Sequence, residues 1–237
     1  MEGQGRTKCF VLFLLLTALF VNGSSYAQKI RIRASNKDFD QVRIVSKFDC
    51  VNDDMDTSKY IWVADLSVEF DTVLPGTLEG IYREFWTRAN HVGANAFKVK
   101  DSDLYTVGEK RFITLSVYWL RMEYRDENMT LFNSPDVYYF GLLGHHVDLD
   151  GYDVSFNGQD LLLRELTYHH FSAEDNEKVE VSIGGRSRGD ITTFIAEAKT
   201  LPRYFYFKQA TGSFKNAWVY EYDWNMGEFL VSILEKN

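Results

Sequence analysis

The feature that most constrains this chain is a change of hydrophobic period at Pro75-Gly76. Before it, in YIWVADLSVEF (60–70), Trp62, Ala64, Leu66, Val68 and Phe70 alternate with Asp65, Ser67 and Glu69. Period two with one apolar face describes a half-buried strand. After it, Leu78, Ile81, Phe85, Ala89 and Val92 recur at three- and four-residue steps, the stripe of an amphipathic helix. Pro75 suits the start of that helix, and Gly93 suits the left-handed position just past its end. Alternation resumes at AFKVK (96–100) and again over 111–124, where Ile113, Leu115, Val117 and Trp119 share a face. It is present earlier as well, over Lys29–Ala34 and in the Val42, Ile44, Phe48 series. The pattern predicts an α+β domain over 28–130, a sheet with one packed helix.

Ala89-x-x-x-Gly93-Ala94-Asn95-Ala96 closes that helix and leads into the next strand. This junction resembles the A-x-x-x-G-A-N-A junction of small bacterial envelope α+β domains. These include the YbjQ-like family and the stress-sensor lipoprotein of the Rcs system. The chain departs from the sensor family in lacking its paired cysteines and its lipobox. The junction itself reads as shape, a helix cap and a tight turn, before it reads as a site.

After Asn133-Ser134-Pro135 the composition turns toward strands. DVYYFGLL, YDVSF, LLLREL, VEVSI, RYFYFK, AWVYEYDW and EFLVSIL are short, aromatic and β-branched runs separated by Gly, Asn and Asp. Asn157-Gly158 between two of them is a strong hairpin signal. The series predicts an antiparallel β-sandwich over 135–237. Its order resembles that of exported bacterial β-sandwich domains of unknown function.

Residues 1–27 read as a signal peptide. Arg6 and Lys8 precede the apolar run CFVLFLLLTALFV, and Ser25 and Ala27 occupy the small-residue positions before a cleavage point at Gln28. The expected product is exported, periplasmic or secreted, with no transmembrane segment in the mature chain. The chain carries 34 acidic and 26 basic residues, a formal net charge of −8. Loss of Glu2, Arg6 and Lys8 with the leader makes it one unit more negative. That balance disfavours nucleic acid, whose phosphates need a basic face. Only Cys50 remains after the leader, so no internal disulfide can form and the core must hold the fold. Cys50 is either a buried small hydrophobe, the favoured reading, or a link to another chain.

Several constellations invite chemistry. Gly185-Arg186-Ser187-Arg188-Gly189 matches G-x-S-x-G, yet no histidine follows it and no parallel α/β alternation surrounds it. It reads better as a turn in which Arg186 and Arg188 could bind an anion. His146-x-Asp148-x-Asp150-Gly151, with Asn157 in the twelfth place, has the spacing of a calcium loop but lacks the carboxylates at both ends. His145, His146, His169 and His170 could supply metal ligands, although neighbours on a strand point to opposite faces. Asp49 to Asp56 form a dense acidic loop that reads as solvated, and Asn128-Met129-Thr130 spells a glycosylation acceptor. Trp218, Tyr220, Tyr222 and Trp224 stand two apart, one face of a strand. They are either sandwich core or, if exposed, a platform for sugar rings or a partner chain.

No catalytic set and no cofactor emerge from these tests. The expectation is an exported, non-enzymatic binding or assembly protein with a protein or glycan partner. Its contact surfaces would be an exposed strand edge and free aromatics within 217–224. The alternatives are an exported hydrolase with a dispersed site and a His-based metal-binding module.

Overall fold

The computed structural model describes residues 29–39, 47–73, 76–106, 110–141, 152–183, 189–209 and 217–237. The leader, Val42, Ile44, Pro75, His145, His146, the calcium-like loop up to Gly151, and Arg186 to Arg188 lie outside them. The described residues are mostly sheet with three α-helices, broadly α+β.

The first sheet has strand order β1-β3-β5-β4-β2. These strands are β1 (Arg31–Ser35), β2 (Asp49–Cys50), β3 (Tyr60–Phe70), β4 (Ala96–Asp103) and β5 (Arg111–Leu120). Helix α1 (Thr77–His91) buries Leu78, Ile81, Tyr82, Phe85 and Ala89 against it. The helix ends as its sequence dictates. Gly93 sits at φ 81°, where a Cβ would be strained. Ala94 N–H donates to Ala89 O at 2.9 Å and Gly93 N–H to Asn90 O at 3.1 Å, the paired bonds of a Schellman cap. Asn95 then acts as a strand residue made from a side chain. Its Oδ1 accepts from Leu120 N at 2.6 Å and its Nδ2 donates to Leu120 O at 2.7 Å. The Gly-Ala-Asn-Ala junction is fully committed to structure.

One face assignment in β3 needs correction. A bulge at Val63 places Trp62 opposite Tyr118 and Ala64 opposite Val117, so Trp62 lies across the sheet from Ala64, Leu66 and Val68. Its indole N–H donates to Asp65 at 3.0 Å on that other face.

The remaining described strands form two further sheets. One has order β13-β12-β6-β9-β14, from β6 (Asp136–Gly141), β9 (Thr167–Ser172), β12 (Arg203–Gln209), β13 (Ala217–Tyr222) and β14 (Glu235–Lys236). The other has order β11-β10-β7-β8, from β7 (Tyr152–Phe156), β8 (Gln159–Leu163), β10 (Lys178–Ile183) and β11 (Asp190–Ile195). Asn157 and Gly158, both at positive φ, make the two-residue turn between β7 and β8. Val137, Tyr139, Phe205 and Phe207 from the first of these sheets share one apolar cluster with Val154, Val179, Val181 and Ile183 from the second.

The run EFLVSIL is not a strand. It lies in helix α3 (Trp224–Ile233), whose start is capped by the Asp223 carboxylate accepting from Asn225 N and Met226 N. Met226, Phe229, Leu230 and Ile233 face inward, with Tyr82 and Phe97 of the first sheet's layer at 5.3 and 6.4 Å from the Phe229 ring. They share a single cluster with Leu66, Phe85, Phe140 and Tyr204. The last helix of the 135–237 segment therefore completes the core of the 28–130 segment. A short helix, α2 (Arg125–Thr130), closes the 28–130 segment.

Candidate functional site

Alternation along β12 and β13 sorts their side chains onto two faces. Phe205, Phe207, Ala217 and Val219 enter the cluster shared with β10. Tyr204, Tyr206, Lys208, Trp218, Tyr220 and Tyr222 take the opposite face, in the register Tyr204↔Tyr222, Tyr206↔Tyr220 and Lys208↔Trp218. One end of this face is covered. Helix α3 lies on Tyr204, and the Tyr222 hydroxyl donates to Glu79 of α1 at 2.5 Å. Burial, with the Glu79 carboxylate beside it, pushes the Tyr222 hydroxyl well above its ordinary pKa.

Beyond that cover the face is open. Trp218 is 40% exposed and Tyr220 41%. Tyr206 stacks on Tyr222 with centroids 4.0 Å apart and on Tyr220 at 5.2 Å, the planes tilted by 15° and 21°. The exposed Lys208 ammonium stands 5.3 Å from the Tyr206 centroid and 5.1 Å from that of Tyr220. The result is a stack of three tyrosine rings, Tyr222, Tyr206 and Tyr220, with the Lys208 ammonium over two of them and Trp218 exposed opposite Lys208 in the register. Trp224 does not belong to it, because Asp223 has already started α3. Its ring packs on Phe132 at 5.0 Å instead and lines an open groove of about 790 Å³ with Asp126, Ile195 and Arg203.

β13 is an edge strand, but its edge is not wholly free. The Val219 N–H donates to Asp190 Oδ2 of β11 at 2.9 Å, which occupies a donor that strand addition would use. The opposite face of β13 is braced by the Arg203–Glu221 ion pair, with the Arg203 guanidinium 4.0 Å from the Phe194 centroid.

A second feature is a polar cleft of about 460 Å³ between the β2 end of the first sheet and the β6 sheet, lined by Asn52, Asp53, Lys98, Asp136, Tyr138 and Glu228 among others. Glu228, on α3, accepts a hydrogen bond from the Tyr204 hydroxyl. Burial pushes its carboxyl above the ordinary range, more than that hydrogen bond lowers it. Burial would also raise Asp136, but contacts from Ser172, His170 and Ser134 outweigh it and hold that carboxyl low. The Ser172 hydroxyl donates to Asp136 at 2.6 Å, not to a histidine. His170 Nε2 is 3.2 Å from Asp136 Oδ2, a contact not aligned as a hydrogen bond.

An acid raised by folding stabilises the native state fully below its unfolded pKa, here 4.5. That contribution is lost as pH climbs through the folded pKa. Glu228→Gln keeps an acceptor for Tyr204 and removes the titration. The variant is expected to melt about 2–4 °C above the native protein at pH 8, roughly 1 kcal/mol for a chain of this size, and level with it at pH 4. Thermal melts across that range check this; a difference independent of pH would refute it.

His169 and His170 sit on opposite faces of β9, His169 stacked over Phe171 and His170 over Tyr138. Among the described residues no group of three His, Cys, Asp or Glu side chains is placed to hold a metal ion. Nor is any helix among them long and apolar enough to cross a membrane. The acidic loop is not simply solvated: Asp49 is 2% exposed and paired with Arg125. Cys50 is buried, which pushes its thiol pKa up. Asn128, the acceptor of the glycosylation triplet, is fully buried, its amide donating to Cys50 O at 2.8 Å and accepting from Asn52 N at 2.9 Å. A glycan there is incompatible with the folded chain. No family model, curated protein or solved structure matches the chain, so its function rests on this geometry alone.

Proposed function

We propose that the protein is an exported binding protein that contacts its ligand through the open end of the β12–β13 aromatic face. In this reading the β6 and β7 sheets stack as a β-sandwich, supported by the apolar cluster they share, and the sandwich holds the platform rigid. One observation carries the proposal: Trp218 and Tyr220 stay exposed on a face where Tyr222 is covered by α1 and Tyr204 by α3. Isolated exposed aromatics are ordinary, but contiguous stacked ones mark contact surfaces. Trp and Tyr also dominate binding energies where such surfaces are mapped.

Trp218→Ala and Tyr220→Ala are expected to change folding stability by less than about 0.5 kcal/mol, since both are surface positions. Each should weaken ligand binding by about 2 kcal/mol, some thirtyfold. The assay is retention of exported-fraction proteins and of immobilised glycans on the purified protein and both variants. Retention that is unchanged in both variants would remove the platform from the function.

The hydrolase alternative draws on the cleft, where the Glu228 and Asp136 carboxyls are pushed in opposite directions, the arrangement of an acid and a base. Turnover of a small substrate that Glu228→Gln abolishes without unfolding would favour it over the binding reading.

A further inference from the structure

We infer that the protein pairs with a second copy of itself through strand β11, which meets its twofold mate edge to edge and continues the β11-β10-β7-β8 sheet across both chains. The inference is independent of the aromatic face. It rests on how the chain treats the edges of its sheets.

Unpaired N–H and C=O groups on an edge strand are open to any added strand, and folded chains block them with charge, shortness or covering groups. Each of the three sheets of the described residues has two edges, and all but one carry such a block. β1 holds Arg31 and Arg33. β2 is two residues long, and Cys50 has its N–H taken by the Asn225 side chain and its C=O by the Asn128 amide. β8 holds Asp160, and the Leu162 C=O accepts from the Asn237 amide at 3.1 Å. Val219 of β13 gives its N–H to Asp190. β14 is two residues long and contains Lys236.

β11 is the exception. Glu180 of β10 turns its main chain away from β11, its N–H donating to Asn157 Oδ1 at 2.7 Å and its C=O accepting from Asn157 N at 2.9 Å. Val179 and Val181 therefore turn theirs toward β11, opposite Phe194 and Thr192. By alternation Ile191, Thr193 and Ile195 point their N–H and C=O groups outward. Asp190 occupies the first of these donors, its Oδ1 accepting from Ile191 N at 3.0 Å. Among the described residues nothing bonds the outward groups of Thr193 and Ile195. No charge or proline interrupts the stretch, and Ile191 and Ile195 are 54% and 52% exposed.

The strand that fits this edge is β11 itself, turned about. Antiparallel pairing centred on Thr193 sets Thr193 against its own copy, Ile191 against Ile195 and Thr192 against Phe194. Outward main chain then meets outward main chain. Thr193 N–H bonds Thr193 C=O in both directions, and each Ile195 N–H reaches the Ile191 C=O of the other copy. On the exposed face the isoleucines cover one another. On the other face Thr192 meets Phe194, an aromatic and β-branched pair of the favourable kind. The seam itself carries no charge, because Lys178 and Glu180 lie one strand back, in register with Ile195 and Thr193. A twofold pairing uses the open edge of both copies, so assembly closes at the dimer. The contact is smaller than the roughly 800 Å² per partner of a standard interface, which makes the dimer reversible and its dissociation constant micromolar.

Sedimentation of the exported protein from submicromolar to several hundred micromolar is expected to show a monomer passing reversibly into a dimer. Thr193→Pro removes an N–H that bonds nothing within one copy, a place where an edge strand tolerates proline, and should keep the protein monomeric throughout. Ile191→Lys with Ile195→Lys should weaken association at least tenfold, whereas Thr193→Val, which keeps the main chain, should leave it unchanged. The register has its own readout, since Cys50 is buried. Thr193→Cys should form an interchain disulfide under mild oxidant, because facing Cα atoms about 5.5 Å apart lie within reach of one. Glu180→Cys should not, its copies being three strand spacings or about 14 Å apart. A chain that stays monomeric overturns the inference, whether or not a different protein docks on that edge. So does a dimer that survives both the proline and the lysine variants, or one in which Glu180→Cys links as readily as Thr193→Cys.

Discussion

Arg125→Met is expected to destabilise the protein by about 3–5 kcal/mol, the cost of leaving a buried charge without its partner. Asp49 is buried at the β2 edge of the first sheet, and the Arg125 guanidinium grips both its oxygens, through Nε to Oδ2 and Nη2 to Oδ1 at 2.8 Å. With Arg125 gone, the carboxylate keeps, among the described residues, the Asn225 amide as a side-chain donor at 3.1 Å. The loss extends beyond one pair, because the same residues join three parts of the chain. Asn225 at the start of α3 also accepts from Cys50 N at 2.7 Å, and Asn128 of α2 bonds Cys50 and Asn52. Loosening α2 therefore loosens the seat of α3 against the first sheet. Chemical denaturation measures the effect. The double variant Asp49→Asn, Arg125→Met should recover much of the loss, since it leaves no unpaired charge. A loss below about 1 kcal/mol in the single variant would show that the pair does not hold this joint.

That joint shows where the sequence stops being informative. Local periodicity was enough for α1, whose stripe and Gly93 cap appear as read, and for the long alternating strands β3 and β5. Asp49 looked solvated because its partner lies 76 residues away, and no local pattern reports such a contact. The bulge at Val63 reversed Trp62 for a related reason: one extra residue changes the face of everything before it. EFLVSIL failed differently. A short apolar run fits strand or helix equally, yet Asp223 as a cap and the spacing of Met226, Phe229, Leu230 and Ile233 were present to decide it. The aromatic series could be read as a strand face up to Tyr222 and no further, since Asp223 ends the strand. Which of its rings are covered depends on α1 and α3, elements distant in sequence from most of β12, and only the fold answers that.

Gly227→Ala, in the middle of α3, is the other substitution expected to have a large effect, a loss of about 2–3 kcal/mol. Helix propensity alone predicts the reverse, a gain of about 1 kcal/mol. Packing overrides it, because a Cβ on Gly227 would lie 2.2, 2.3 and 2.6 Å from carbons of the Tyr204 ring. A flexible side chain could retreat, but Tyr204 cannot. Its ring is stacked between neighbours, Tyr138 at 5.2 Å and Phe140 at 6.3 Å, with planes within 14° and 11°. Its hydroxyl is tied to Glu228, the next residue of the same helix. The helix must move away instead, taking Phe229 and Leu230 out of the core they share with the first sheet, and such overpacking costs about 1–3 kcal/mol or more. Denaturant melts of Gly227→Ala and of the double variant Gly227→Ala, Tyr204→Leu separate the two effects. The smaller, flexible leucine should absorb the new methyl, so the double variant should fall well short of the sum of its parts. A more stable Gly227→Ala would mean that α3 has room to spare over Tyr204, and that the helix does not clamp the covered end of the aromatic face.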